Sequence, residues 1–209
     1  MTVAAMSYAP DRVTVIADTL AARLDEDAVP RPFNFTSKCD TWWHLYALAV
    51  ARGPHSIRLR VGTIVQQTWC PNGIADALPA ISAGLDELGA DGELLVAGWC
   101  KPSTSFRAWH LRADQGWQPR ELAAGVYPLP GHDLVDAAGP PLDDDRMAEL
   151  GQLLVRSTLR GAEEAGDAPN MSGGELVLTR LDRSGFAIRK VARCENFDAV
   201  RQMIEDHHG

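Results

Sequence analysis

The chain has 209 residues, of which 45% are hydrophobic and 23% are charged, so it can bury the core of one globular domain over residues 1–209. Its formal net charge at pH 7 is −8, and no run of lysine and arginine forms the basic stripe typical of nucleic-acid binders. We therefore expect no nucleic-acid partner.

The four cysteines are scattered along the chain, without a C-x-x-C pair or the spacing of a metal site. No signal-peptide pattern is present. The longest apolar run, Leu45 to Ala51, is far shorter than the roughly 20 residues of a membrane span. These features predict a reduced, cytoplasmic protein that has no cofactor, no metal and no membrane partner.

Short apolar runs predict the strands of the first half. Val3–Tyr8 and Arg12–Asp18 are predicted strands that a turn joins. A charged, proline-bearing loop is expected over residues 24–32, and "FNFTSK" follows as a short strand. Leu45–Arg52 is a predicted buried strand that ends before Gly53. The next segment, "SIRLRVGTIVQQTW", fits either a helix or a strand, and its mixture of apolar side chains and arginines suits an interface.

The second half mixes helices and hairpins. "GIADALPAISAGLDEL" is a predicted helix, and residues 92–114 form a predicted hairpin that includes the strand Leu94–Trp99. Residues 115–141, rich in glycine and proline, yield no prediction. The segment "RMAELGQLLVRSTLRGAEEAG" is a predicted helix, because the three aspartates that precede it interact favourably with a helix N-terminus. A last hairpin includes Leu176–Leu181, and a closing helix is capped by Asn196. This irregular order favours a layered α+β protein.

A hydroxyl nucleophile at a chain terminus can use the free α-amine as its base, because a free α-amine has a pKa of about 8. Such a site also needs a cation, a carboxylate that fixes the cation, and N–H donors for the oxyanion. Thr2 could be the nucleophile, with Asp18 and Lys38 at the ends of predicted strands as carboxylate and cation. The alternative is a surface threonine, a turn aspartate and a solvated lysine.

For the other candidate functional residues, a purely structural role is the alternative. Cys39 beside Lys38 could be an activated thiolate or a core side chain. The aromatic segment "TWWHLY" could line a binding pocket or pack in the core. His207 and His208 lie in a terminal tail, where we expect no metal site.

Taken in order, these fragments resemble a proteasome β-subunit, a bacterial proteasome homologue of the N-terminal nucleophile hydrolase superfamily. In that family a threonine opens the first strand and an aspartate closes the second, as Thr2 and Asp18 do. A lysine follows, then an apolar strand that ends in glycine, as in "LYALAVARG". The most specific similarity is "LLVRSTLRGAEEAGDAPNMSGGELVLTRLD", which resembles the family's long helix, Ser-Gly-Gly turn and apolar strand.

The resemblance implies roles for individual residues. Thr2 would be the nucleophile, Asp18 and Lys38 would tune it, and the Gly53 backbone N–H would form the oxyanion hole. The polar network around the amine would be completed by Asp167 or Asn170, together with Ser172. With Met1 attached the amine is not on Thr2, so removal of Met1 is required.

The resemblance also implies an α+β fold, a four-layer αββα sandwich with two antiparallel sheets face to face and helices outside. The implied activity is threonine-type hydrolysis of peptide or amide bonds inside a ring-forming homo-oligomer, with peptides or unfolded proteins as substrates. Whether an ATPase cooperates stays open. The family's Gly-Ser-Gly turn has no counterpart in "PLPGHDLVDAAGPP", so an inactive ring or scaffold subunit is one alternative. A monomeric small-molecule amidase on the same fold is another.

Overall fold

The computed structural model describes residues 3–24, 30–129, 139–165 and 172–208. The strands in these ranges are β1 (Ala4–Ala9), β2 (Arg12–Asp18), β3 (Leu20–Leu24), β4 (Pro30–Phe35), β5 (Cys39–Trp42), β6 (Ala47–Arg52), β7 (Glu93–Cys100), β8 (Ser105–Arg112), β9 (Arg120–Glu121), β10 (Gly125–Leu129), β11 (Glu175–Asp182) and β12 (Gly185–Arg193). The helices are α1 (His55–Gln67), α2 (Leu78–Leu88), α3 (Asp144–Ala165) and α4 (Phe197–His208).

The strands of the described ranges pair antiparallel in three sheets. One five-stranded sheet has the order β10-β1-β2-β11-β12, the other has the order β5-β6-β7-β8-β9, and β3 and β4 form a separate two-stranded sheet. The α+β class is thus confirmed, but the prediction of a four-layer αββα sandwich of two sheets is wrong. The third sheet has its own helix partner, because Phe35 of β4 and Phe197 of α4 stack with ring centroids 5.2 Å apart.

Alternating side chains distribute the core over three apolar clusters, since successive residues of a strand point to opposite faces. In β2, Val15 faces the cluster between the two large sheets, whereas Ile16 faces the cluster under α3. The helices α1 and α2 bury Ile57 and Ile81 against the second sheet. The central strands of each large sheet are therefore buried on both faces, and the ends of these strands carry the candidate site.

Most of the predicted elements are confirmed. The strands around Val3–Tyr8, Arg12–Asp18 and Leu176–Leu181, and the hairpin of β7 and β8, are present within one or two residues. The buried strand begins only at Ala47, after a short 3-10 turn over Trp43–Leu45. The ambiguous segment forms the helix α1.

Two local predictions are wrong. Residues 30–32 belong to β4 instead of ending a loop, whereas residues 33–35 lie in a strand as predicted; the two-stranded sheet accommodates prolines at the start of β4 and beside a register shift between Ala21 and Ala22. The Asn196 side chain does not cap α4. Its Nδ2 donates to the Ser172 carbonyl at 3.0 Å, and its Oδ1 has no hydrogen-bond partner within the described part of the chain.

None of the helices in the described ranges combines the length and the apolar character that crossing a membrane requires.

Candidate functional site

The Asp18 carboxylate is the centre of the candidate site. It lies at the end of β2 and is fully buried. Its Oδ1 accepts hydrogen bonds from the Lys38 ammonium at 2.7 Å and from the Val3 N–H at 2.9 Å, and its Oδ2 accepts one from the Gly173 N–H at 3.0 Å. Three donors from three distant parts of the chain thus converge on one carboxylate.

Lys38 precedes β5, in the connection from β4, and its side chain is only 8% exposed. An arginine from α1 holds this connection on both sides of the lysine. The Arg58 guanidinium donates to the Ser37 carbonyl at 2.7 Å and pairs with the Asp40 carboxylate through two nitrogens. The backbone around Lys38 is therefore anchored to the helix that follows Gly53.

Burial and charge act in opposite directions on this ion pair. Burial lowers the pKa of Lys38, and the adjacent Asp18 carboxylate opposes that shift. Burial raises the pKa of Asp18, and the Lys38 charge with the hydrogen bonds from Gly173 and Val3 opposes that shift. A lysine with a lowered pKa can take part in proton transfer more readily than a solvated one.

Gly53 follows β6 and precedes α1 in a conformation that favours glycine, with φ of +131°. A Cβ atom at this position would lie 2.7 Å from the Asp91 carbonyl oxygen, so the tight approach of the two chain segments also requires glycine. A cleft of about 150 Å³ joins this residue to the lysine; it is lined by Leu20, Ala22, Lys38, Ala51, Gly53 and Arg58.

Ser172 is fully buried immediately before the glycine pair that leads into β11. The next residue, Gly173, has a φ of +143° and donates its N–H to Asp18. A hypothetical Cβ on Gly173 would lie 2.3 Å from the Asn196 side chain. The Ser-Gly-Gly turn thus meets the end of β2 beside the Asp18–Lys38 pair.

Of the predicted site residues, the structure brings Asp18, Lys38 and the Ser172–Gly173 turn together, and a shared cleft joins Lys38 to Gly53. Thr2, Asp167 and Asn170 lie outside the described residues. Their predicted roles remain predictions.

The structure also bears on the other candidate residues. Cys39 is buried in the core, where burial raises the pKa of its thiol to about 12. An activated thiolate at this position is therefore not supported. Within the described ranges, no three histidine, cysteine, aspartate or glutamate side chains are grouped closely enough to hold a metal ion.

The sequence did not point to several residues that build the site. The donors from Val3 and Gly173 are backbone groups, and Gly173 is 155 residues away from Asp18 along the chain. Arg58 belongs to a segment whose secondary structure the pattern left undecided. The glycine pair after Ser172 was the available signal, because adjacent glycines allow a close approach of backbone to a buried group.

No protein-family model and no curated protein matches this sequence. Solved structures do match over the whole chain. Two are of Anbu from Hyphomicrobium sp. strain MC1, one of them a Gly-1 mutant, with a TM-score of 0.66 and sequence identities of 15% and 16%. A third is Anbu, an ancestral beta-subunit, from Yersinia bercovieri, with a TM-score of 0.64 and 15% identity.

Each alignment covers 100% of this chain and 94% of the Anbu chain. At this level of identity the similarity shows a shared fold. The chain has a proteasome-related fold.

Proposed function

We propose that the chain is a threonine-type N-terminal nucleophile hydrolase that cleaves peptide or amide bonds, with Thr2 as the nucleophile. The observation that carries this proposal is the position of the buried ion pair. The Val3 nitrogen, which is covalently bonded to the Thr2 carbonyl carbon, donates to the same Asp18 oxygen that accepts from Lys38. A buried ion pair contributes little net stability, so a chemical role explains why the fold contains it.

The proposed reaction begins after the peptide bond before Thr2 has been cut. The Thr2 hydroxyl attacks the substrate carbonyl carbon and transfers its proton to the free Thr2 amine. The Lys38 ammonium stabilises the negative charge that develops on the hydroxyl oxygen, and Asp18 holds the ammonium in position. Collapse of the tetrahedral intermediate breaks the scissile C–N bond, and the amine returns the proton to the leaving nitrogen. Water then hydrolyses the ester.

The remaining predicted residues complete the proposed site. The Gly53 N–H would donate to the oxyanion, and the cleft shared with Lys38 would receive the substrate chain. Ser172 and either Asp167 or Asn170 would hydrogen-bond the Thr2 amine and keep it oriented.

We also propose that the protein works as a ring-forming homo-oligomer acting on peptides or unfolded proteins. Large apolar side chains on and just after α1 support an interface, since Leu59 is 60% exposed and Trp69 is 85% exposed. Exposed aromatic side chains of this kind are enriched at the centres of protein interfaces. Light scattering should give a mass several times that of one chain, and a monomer at micromolar concentration would contradict the ring.

Peptide hydrolysis by matched threonine variants tests the activity. Thr2→Ala should abolish hydrolysis, because it removes the attacking oxygen and keeps the amine. Thr2→Ser should retain hydrolysis, since both the hydroxyl and the amine remain. Thr63→Ala is the control, because Thr63 is an exposed threonine on α1.

Equal activity of the Thr2→Ala variant and the unmodified protein would contradict the proposed nucleophile. An assembled protein without hydrolytic activity would favour the inactive ring or scaffold subunit. A monomer that hydrolyses only small amides would favour the small-molecule amidase.

A further inference from the structure

A second cavity of about 490 Å³ lies at the end of the large sheets that is opposite the Asp18–Lys38 pair. It is lined by Tyr46, Trp99, Thr104, Phe106 and Arg183. Its volume falls within the range of small-molecule sites. Tyr46 precedes β6, and Gly53 follows the same strand. A six-residue strand spans about 20 Å, so this cavity is separate from the proposed catalytic site.

The walls of the cavity are aromatic and held in place. Trp99 and Phe106 are paired across β7 and β8, and their rings meet edge to face with centroids 5.2 Å apart. The backbone of Phe106 is fixed on both sides, because its N–H donates to the Pro10 carbonyl at 2.8 Å and its carbonyl accepts from the Tyr8 hydroxyl at 3.0 Å. The aromatic surface is therefore preformed.

Arg183 supplies a positive charge at the rim. Its guanidinium carbon lies 5.5 Å from the centroid of the Trp99 ring, and no carboxylate in the described ranges forms an ion pair with it. The adjacent Asp182 does not neutralise it, because the Asp182 carboxylate accepts hydrogen bonds from Ser184 and pairs with Arg180 at 3.2 Å. A stacked guanidinium without a carboxylate partner is suited to an anionic ligand.

Two residues that line the cavity have a strained backbone. Within the described ranges, three non-glycine residues have positive φ angles, and two of these are Tyr46 (φ 48°) and Thr104 (φ 50°). The conformation is unusual for any non-glycine residue and costly for a β-branched one such as threonine. Backbone strain of this kind clusters at ligand-binding positions. Here it turns both side chains toward the same cavity.

We infer that this cavity binds a small planar aromatic carboxylate. The ring of the ligand packs between Tyr46 and Trp99, with the buried Phe106 ring fixing Trp99 from behind, and its carboxylate accepts hydrogen bonds from the Arg183 guanidinium. The aromatic walls select the planar ring, and the Arg183 charge selects the anion over its neutral analogue. No bond is formed or broken at this site.

Calorimetric titration of the full-length protein with naphthalene-2-carboxylate and with naphthalene-2-carboxamide tests this assignment. The two probes share a ring system and differ in charge. We expect the carboxylate to bind about tenfold more tightly than the amide, because a charge-assisted hydrogen bond replaces a neutral one. In Arg183→Gln the two affinities should become equal. In the control Arg146→Gln, an exposed arginine on α3, the preference for the carboxylate should persist.

Thermal unfolding of each variant checks that the fold is retained, and Tyr46→Gly provides a second test because it removes one wall and should weaken both probes. The assignment is overturned if neither probe binds, if the two probes bind equally to the unmodified protein, or if Arg183→Gln keeps the preference for the carboxylate. It is also overturned if Arg183→Gln lowers the oligomeric mass while no probe binds, since the cavity would then receive a second copy of the chain.

Discussion

Lys38→Met will leave the Asp18 carboxylate buried without its cation. The Asp18 side chain is 0% exposed, the Lys38 side chain is 8% exposed, and the two charged groups lie 2.7 Å apart. Removing one partner of a buried pair costs about 3–5 kcal/mol of unfolding free energy. Asp18→Asn should cost a similar amount, because it leaves a buried ammonium opposite a neutral amide.

The double variant has neither charge, so it should be less destabilised than the sum of the two single variants. We expect a coupling energy of about 2 kcal/mol or more. The assay is urea unfolding at one fixed protein concentration, because subunit association makes stability depend on concentration. The urea midpoint should change while the slope stays constant.

A surface pair of the same length is the control. Arg156 and Glu195 also lie 2.7 Å apart, but their side chains are 47% and 69% exposed. Their coupling energy should lie at about 0–1 kcal/mol. If the buried pair couples no more strongly than this surface pair, the reasoning that burial makes the Asp18–Lys38 pair important is refuted.

The pH dependence of the single variant follows from the same burial. Burial raises the pKa of Asp18 above its unfolded value, and in Lys38→Met the opposing charge is gone. The folded variant then binds more protons than the unfolded chain in the mildly acidic range, so its stability falls as pH rises through that range. Relative to the unmodified protein, Lys38→Met should therefore regain stability as the pH is lowered from 7 toward 4.

Three further variants test local features. Gly53→Ala should lower the unfolding free energy by more than about 1 kcal/mol, because the φ of Gly53 is +131° and the new Cβ would meet the Asp91 carbonyl oxygen. Gly62→Ala is the matched control: Gly62 lies in α1 with open space around it, so this variant should raise the unfolding free energy by about 0.5–1 kcal/mol. Thr104→Gly should stabilise the fold by about 0.5–1 kcal/mol in the same assay, since it relieves a positive φ of 50° and costs only chain entropy. Burial opposes ionisation of Cys100, but hydrogen bonds from a neighbouring serine and arginine lower the pKa of Cys100, so the ultraviolet absorbance of a thiolate should develop at a lower pH in the unmodified protein than in Cys100→Ser.

The sequence predicted the parts of the fold that depend on local patterns. Residue patterns of this kind are typical of strands with one or both faces buried. They occur in Arg12–Asp18, where residue types alternate, and in the apolar runs around Leu48 and Leu178, and all three strands are present. It could not decide between helix and strand for α1, because β-branched residues such as Val61 and Val65 suit both. It also missed the first half of β4, since Pro30 and Pro32 are typical of a loop and proline is usually excluded from strands, and it did not predict the pairing partner β3.

The candidate site was only partly predictable for a related reason. Asp18 and Lys38 were candidates because each ends a predicted strand, and the family resemblance strengthened the pairing, but a spacing of 20 residues carries no geometric information by itself. Gly173 donates across 155 residues of sequence, and Asn196 reaches the Ser172 carbonyl from the start of α4. Contacts of this kind depend on how β2, β11 and α4 pack, which local sequence does not encode.

The proposed mechanism requires that the Thr2 amine and hydroxyl form a reactive pair. The decisive measurement is the intact mass of the protein after treatment with an electrophile directed at N-terminal threonine. We expect a chain that lacks Met1 and carries one molecule of the reagent, with no adduct in Thr2→Ala and an undiminished adduct in Thr63→Ala. A chain that retains Met1, or one that begins at Thr2 and stays unmodified, would show that the proposed mechanism is wrong.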